Sequence, residues 1–122
     1  VKRVNTMTMS VNEIFYKVQK HLLKQNEKSE SGIDGCKYRS DTGLSCAVGC
    51  LMTDDVYDSS FEGHNINNRL VRQALTPIVG VDYELKLLKL DLLQRLQEVH
   101  DNEPVEHWER GLAEIKHEFD IS

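Results

Sequence analysis

The chain has no long apolar run. Nothing in its 122 residues approaches the roughly 18–20 needed to span a bilayer. The opening V-K-R-V-N-T-M-T-M-S also lacks the apolar core of a secretory signal, and a cytoplasmic protein is expected. Cysteine is scarce and odd in number. Three thiols cannot all pair within one chain, so reduced thiols are expected. There is no G-x-G-x-x-G and no G-x4-G-K-[ST], and the run from Gly43 to Gly49 is too apolar for a phosphate loop. Prolines number only two, at 77 and 104, and both fall between helical patterns.

What is present suits one soluble globular domain. Charged residues make up 29% and apolar residues 39%, a balance that disordered chains do not reach. A chain of this length buries a core without metals or disulfides. The net charge of −5 is unevenly spread. Residues 1–39 hold eight bases against four acids, and residues 82–122 hold eleven acids against five bases. An anionic partner then fits the first part and a basic partner the last. A mimic of nucleic acid would carry a denser negative face.

The periodicity predicts a mainly α fold: a single compact helical domain over residues 10–122 behind a loose leader at 1–9. Four main helices are expected. The first, 10–25, starts at a Ser10-x-x-Glu13 capping box, with Met9 and Ile14 as a hydrophobic staple. Its apolar face is Val11, Ile14, Phe15, Val18 and Leu22. Residues 26–35 read as a loop. The second helix, 65–76, would be capped by Asn65 and stopped by Thr76-Pro77. The third, 82–100, is capped by Asp82 and carries Leu85, Leu88, Leu92, Leu96 and Val99, widened by Leu87, Leu90 and Leu93. A stripe that wide predicts a central helix packed on two sides, or a homodimer through 82–100. The last helix, 104–118, opens on Pro104 and buries Trp108.

Between them, Cys36 to Met52 gathers all three cysteines. Residues 36–39 and 44–47 flank Ser40-Asp-Thr-Gly43, a pattern for a small β-hairpin with Gly43 left-handed. A short helix completes the 36–57 region, and Thr53 is a candidate cap.

Candidate chemistry centres on that region. Lys37, Tyr38 and Arg39 form a basic-aromatic cluster, which Arg69 and Arg72 extend. Such a set stacks on a base and holds a phosphate, or contacts a protein. Cys36, Cys46 and Cys50, at C-x9-C-x3-C, with His64 fourteen residues on, could form a structural zinc site. The spacing departs from paired C-x2–4-C knuckles, and buried small hydrophobes are the simpler reading. A thiol nucleophile needs a base, and none of the five histidines is assigned to one. His100-Asp101 stands without the further ligands of a metal phosphohydrolase, and a helix C-terminus suffices to explain His100. No enzyme activity and no cofactor are expected.

Cys36-x-Tyr38-Arg39, Gly43-x-x-Cys46-Ala-x-Gly49-Cys50-Leu, Tyr57, Glu62-Gly63, L-Q-x-V-H-D at 96–101 and Trp108 together resemble a family of small proteins from tailed bacteriophages and prophage-bearing bacterial genomes. The resemblance spans Ser10 to about Ile115. It implies a phage-type product in the bacterial cytoplasm that binds and neutralises a host protein. Sequestration of a small anionic nucleotide is the alternative, with Tyr38 as the stacking platform.

Overall fold

The computed structural model describes residues 8–31 and 35–122. Four helices dominate: α1 (Val11–Gln25), α2 (Arg69–Val79), α3 (Tyr83–Asn102) and α4 (Trp108–Glu118). Two two-residue strands, β1 (Glu30–Ser31) and β2 (Gly35–Cys36), pair antiparallel. Single 3-10 turns lie at Gly49–Leu51, Ser59–Phe61 and Val105–His107. The fold is mainly α, as the periodicity predicts. No helix among the described residues is long and apolar enough to cross a membrane.

α1 forms as its caps dictate. Ser10 Oγ accepts from the Glu13 N–H at 3.1 Å, and Glu13 returns a bond to the Ser10 N–H at 2.8 Å. Asn26, left-handed at φ 53°, ends the helix by donating to the Leu22 carbonyl. Ile14, Phe15, Val18 and Leu22 are buried, and Met9 packs beside the core. Residues 1–7 of the expected leader lie outside the described residues. Its end is held, since the Met9 N–H donates to the Ile78 carbonyl.

α2 departs from expectation at both ends. Asn65 spends its side chain on the Asn67 N–H within a local turn. Asn68, three residues on, caps the helix by accepting from Leu70 and Val71. Pro77 does not stop α2, because it sits in the last turn, where few bonds remain to be lost. Burial of Ile78 and Val79 carries the helix past it.

α3 is the central helix and packs against α1, α2 and α4. Asp82 caps it through the Leu85 N–H, and it runs two residues beyond the expected end. Its stripe divides. Leu92, Leu96 and Val99 are buried, while Leu85 and Leu88 remain about half exposed. Pro104 opens a 3-10 turn rather than the helix itself, and α4 follows at Trp108. Trp108, Leu112 and Ile115 are buried as the spacing predicts.

The 36–57 region is less regular than a hairpin. One bridge, Arg39 to Ser45, with the bonds from the Ser40 N–H to the Leu44 carbonyl and from the Cys46 N–H to the Tyr38 carbonyl, makes up its ladder. Gly43 closes the turn with φ +89°. The Tyr38 and Arg39 N–H groups donate instead to Glu62, at 2.9 and 3.1 Å. The regular pairing falls earlier, at β1 and β2, within the stretch read as a loop. The expected short helix is the turn from Cys46 to Leu51, folded against Tyr38. A Cβ at Gly49 would lie 2.1 Å from the Tyr38 carbonyl oxygen.

That contact is with backbone and has no flexible end to move. Gly49→Ala is expected to destabilise the fold by about 3 kcal/mol or more. Urea denaturation measures it. A loss under about 0.5 kcal/mol, within the range of neutral surface changes, would show that the two segments separate freely.

Candidate functional site

The C-terminal part of α3 brings His100 and Asp101 beside Cys36, which lies 64 residues earlier in the chain. Ligand-type atoms of the three lie within 4.8 Å of one another. Cys36 and Asp101 border a cavity of about 330 Å³, also lined by Lys37, Tyr38, His64 and Gln97, and His100 lies behind them.

His100 is fully buried, and its ring is stacked on Trp108 with centroids 5.5 Å apart. The Ser29 N–H donates to its Nε2 at 2.9 Å. A backbone N–H can only donate, so Nε2 must accept and the ring proton sits on Nδ1. Nδ1 then donates to Asp101 Oδ1 at 2.8 Å. The same carboxylate oxygen accepts from Gln97 Nε2 at 2.8 Å, and the carboxylate also takes a hydrogen bond from the Cys36 thiol. Gln97 Oε1 in turn accepts the Val48 N–H. Burial alone would raise the Asp101 pKa. Hydrogen bonds from His100, Cys36 and Gln97 outweigh it and hold the carboxyl below its ordinary value.

This arrangement keeps the thiol and the ring occupied with each other's neighbours. Burial, then the hydrogen bond to Asp101, pushes the Cys36 thiol up to about 12, so it stays protonated near neutral pH. His100 cannot take a proton from it, because Nε2 already faces Ser29 and Nδ1 already carries hydrogen. A metal at Nδ1 would drive the ring proton to Nε2, against the Ser29 N–H. The observed hydrogen bonds and a metal therefore exclude each other.

The zinc quartet that the cysteine spacing left open does not assemble among the described residues. Among the described residues, Cys36, His100 and Asp101 are the only cluster of three such ligands. Cys46 Sγ accepts from the Gly49 N–H, and the Cys50 thiol donates to the Ala47 carbonyl. Both thiols are pushed up to about 12, chiefly by burial.

The five residues of the expected contact surface are dispersed. Lys37 borders the cavity. Tyr38 is only 7% exposed, and its hydroxyl donates to the His64 carbonyl at 2.6 Å, so it offers no face for stacking. Arg39 spends its guanidinium on Asp54 and the Met52 carbonyl, over the Tyr57 ring. Arg72 clamps the turn before α2 through the Ile66 carbonyl and Asn67. Arg69 is exposed on α2. Sequence reading missed the role of Ser29 and the joining of Cys36 to Asp101. The types were visible, but only topology supplies their proximity.

Asp101 gives an acid limb of known sign. Its folded pKa is depressed, so its contribution is complete above the unfolded value of about 4 and is lost as pH falls through the folded value. Thermal melts between about pH 6 and pH 3 should show Asp101→Asn losing less stability on acidification than the parent. Identical acid limbs would show that the charge contributes nothing. The thiols give the opposite limb. Their folded pKa values are raised, so their contribution is complete below about 8.5 and falls as pH rises toward 12. A disulfide-exchange reagent at about pH 8 should react with the native thiols roughly 100-fold more slowly than with the unfolded chain.

Comparison with protein-family models, curated proteins and solved structures finds no match to this chain.

Proposed function

We propose that the chain is a small, non-catalytic binding protein that docks a protein partner through the first turns of α3. The resemblance to a phage family points to a host protein of the bacterial cytoplasm as that partner, with its neutralisation as the outcome. The supporting observation is the apolar surface left uncovered there. Tyr83 is 69% exposed, Leu85 48% and Leu88 44%, with Val81 at 84% just before the helix. Clustered large apolar side chains on a surface mark an interaction site, because water gains when they are covered. The locked state of His100 and Cys36 favours binding over chemistry. This reading moves the contact surface from Lys37, Tyr38, Arg39, Arg69 and Arg72 to α3. Nucleotide sequestration is left without a stacking platform, because Tyr38 is buried.

Capture from a bacterial lysate tests the proposal. The parent and the Arg69→Ala variant should both retain one stoichiometric partner. The double variant Leu85→Gln, Leu88→Gln should lose it while keeping its helical circular dichroism. Retention by the double variant, or loss with Arg69→Ala alone, would move the surface elsewhere.

A further inference from the structure

Ser29 and His100 are both fully buried, and one hydrogen bond joins them. Ser29 lies just before β1, and three segments meet on it. Its N–H donates to His100 Nε2 on α3 at 2.9 Å. Its carbonyl accepts the Lys37 N–H at 2.7 Å, next to β2. Its hydroxyl donates to the Leu44 carbonyl at 3.2 Å, in the turn that Gly43 closes. The lone pair of Nε2 is thus the point at which Ser29, with the contacts it carries, meets α3.

That lone pair is also where the ring takes up a proton. Nδ1 already carries hydrogen, donated to Asp101 at 2.8 Å, so an added proton goes to Nε2. Two N–H groups would then face each other at 2.9 Å, both out of reach of bulk water. The ring cannot turn away and keep Asp101. Rotated by half a turn about its Cβ–Cγ bond, it would present carbon where each nitrogen now lies. Proton uptake and the Ser29 contact therefore exclude each other.

The groups facing the ring decide which contact gives. Asp101, on α3 itself, is charged and pairs with an imidazolium, so the Nδ1 side tightens. Cys36 of β2 donates to the same carboxylate and stays neutral. Lys28, one residue before Ser29, reaches the Asp101 carbonyl at 3.3 Å and sets a second positive charge on the side that would release. Glu30 of β1 is exposed. From α4, Trp108 stacks on the ring and carries no charge.

We propose that His100 is an acid-sensitive latch: on taking a proton at Nε2 it keeps Asp101 and releases Ser29, so that the segment leading into β1 lifts from α3. The latch stands apart from the docking face proposed above and does not depend on it.

Amide hydrogen exchange read by NMR tests the latch on the full chain. Histidine changes charge between about pH 8 and about pH 5, and a step that takes up one proton gains at most about 10-fold per pH unit. Protection of the Ser29 amide, corrected for intrinsic exchange, should fall at least about 10-fold from about pH 7.5 to about pH 5. The Lys37 amide should follow it. The Gly80 amide, bonded to the Thr76 carbonyl at the end of α2, should hold. Asp101 stays charged across this window, because its pKa lies below the ordinary carboxylate value of about 4. His100→Gln keeps an acceptor but takes no proton, and should make Ser29 protection independent of pH. His21→Gln removes the histidine bonded nearby to Ser45 and should leave the parent's dependence in place. Ring nitrogen shifts should put the proton of neutral His100 on Nδ1. Constant Ser29 protection in the parent, an equal fall at Gly80, the same fall in His100→Gln, loss of the fall in His21→Gln, or a neutral ring protonated on Nε2 each overturns the latch. Exchange and ring shifts of the parent decide the matter where His100→Gln does not fold.

Discussion

The Asp101 carboxylate is the group on which this structure depends. It is half-buried and charged, a state that costs several kcal/mol unless donors surround it. Here the donors arrive from separate parts of the chain. His100 and Gln97 come from its own helix, and Cys36 from β2. Each donor is itself fixed at its other end: His100 by the Ser29 N–H and Gln97 by the Val48 N–H. One carboxylate thus ties α3 to two loop segments that have almost no regular structure of their own. Hydrogen bonds to a charged acceptor are worth about 1.5–3 kcal/mol each, more than a strand pair of two residues could supply.

Glu62 does the same for the other edge of the 36–57 region. Its carboxylate accepts from the Tyr38 and Arg39 N–H groups and from the Tyr57 hydroxyl. Those N–H groups would otherwise need a neighbouring strand, because buried backbone donors do not stay unpaired. Two carboxylates therefore stand where a sheet would stand. Of the motif residues, Cys36, Tyr38, Arg39, Tyr57, Glu62, Gln97, His100 and Asp101 belong to these two networks. A motif that looked like a chemical centre is here a set of anchors, and the tautomer of His100 is the clearest sign. Its acceptor nitrogen is used by backbone and its proton by Asp101, so both ring nitrogens are engaged within the chain.

Sequence patterns had different reach along the chain. α1 and the start of α3 were legible because their signals are local: a capping box, an Asp cap and a periodic apolar face. α2 was misplaced because Asn65 and Asn68 are equally good caps by type. Local type does not choose between them, and at the other end the burial of Ile78 and Val79, a tertiary effect, overrides Pro77. The strands β1 and β2 carry no strand-like composition, and register alone makes them. Within the site, Cys36 and His100-Asp101 were each visible, but their meeting was not. Nor does composition reveal that Tyr38 turns inward or that Arg39 and Arg72 bind their own chain.

The unpaired start of α3 has a simple geometric cause. Twenty helical residues extend about 30 Å, whereas the eleven-residue helices α2 and α4 each extend about 16 Å. α4 meets the C-terminal half of α3, where Gly111 lets the backbones approach: a Cβ there would lie 3.2 Å from Val99 Cγ2. The stripe that α4 helps cover is therefore Leu92, Leu96 and Val99. One and two turns earlier the same stripe continues at Leu88 and Leu85, beyond the covered length. A helix meant only to fill this core would have polar residues at those positions. Leucines there, at a cost of roughly 1 kcal/mol or more each while exposed, are the side chains that the proposed docking surface would use.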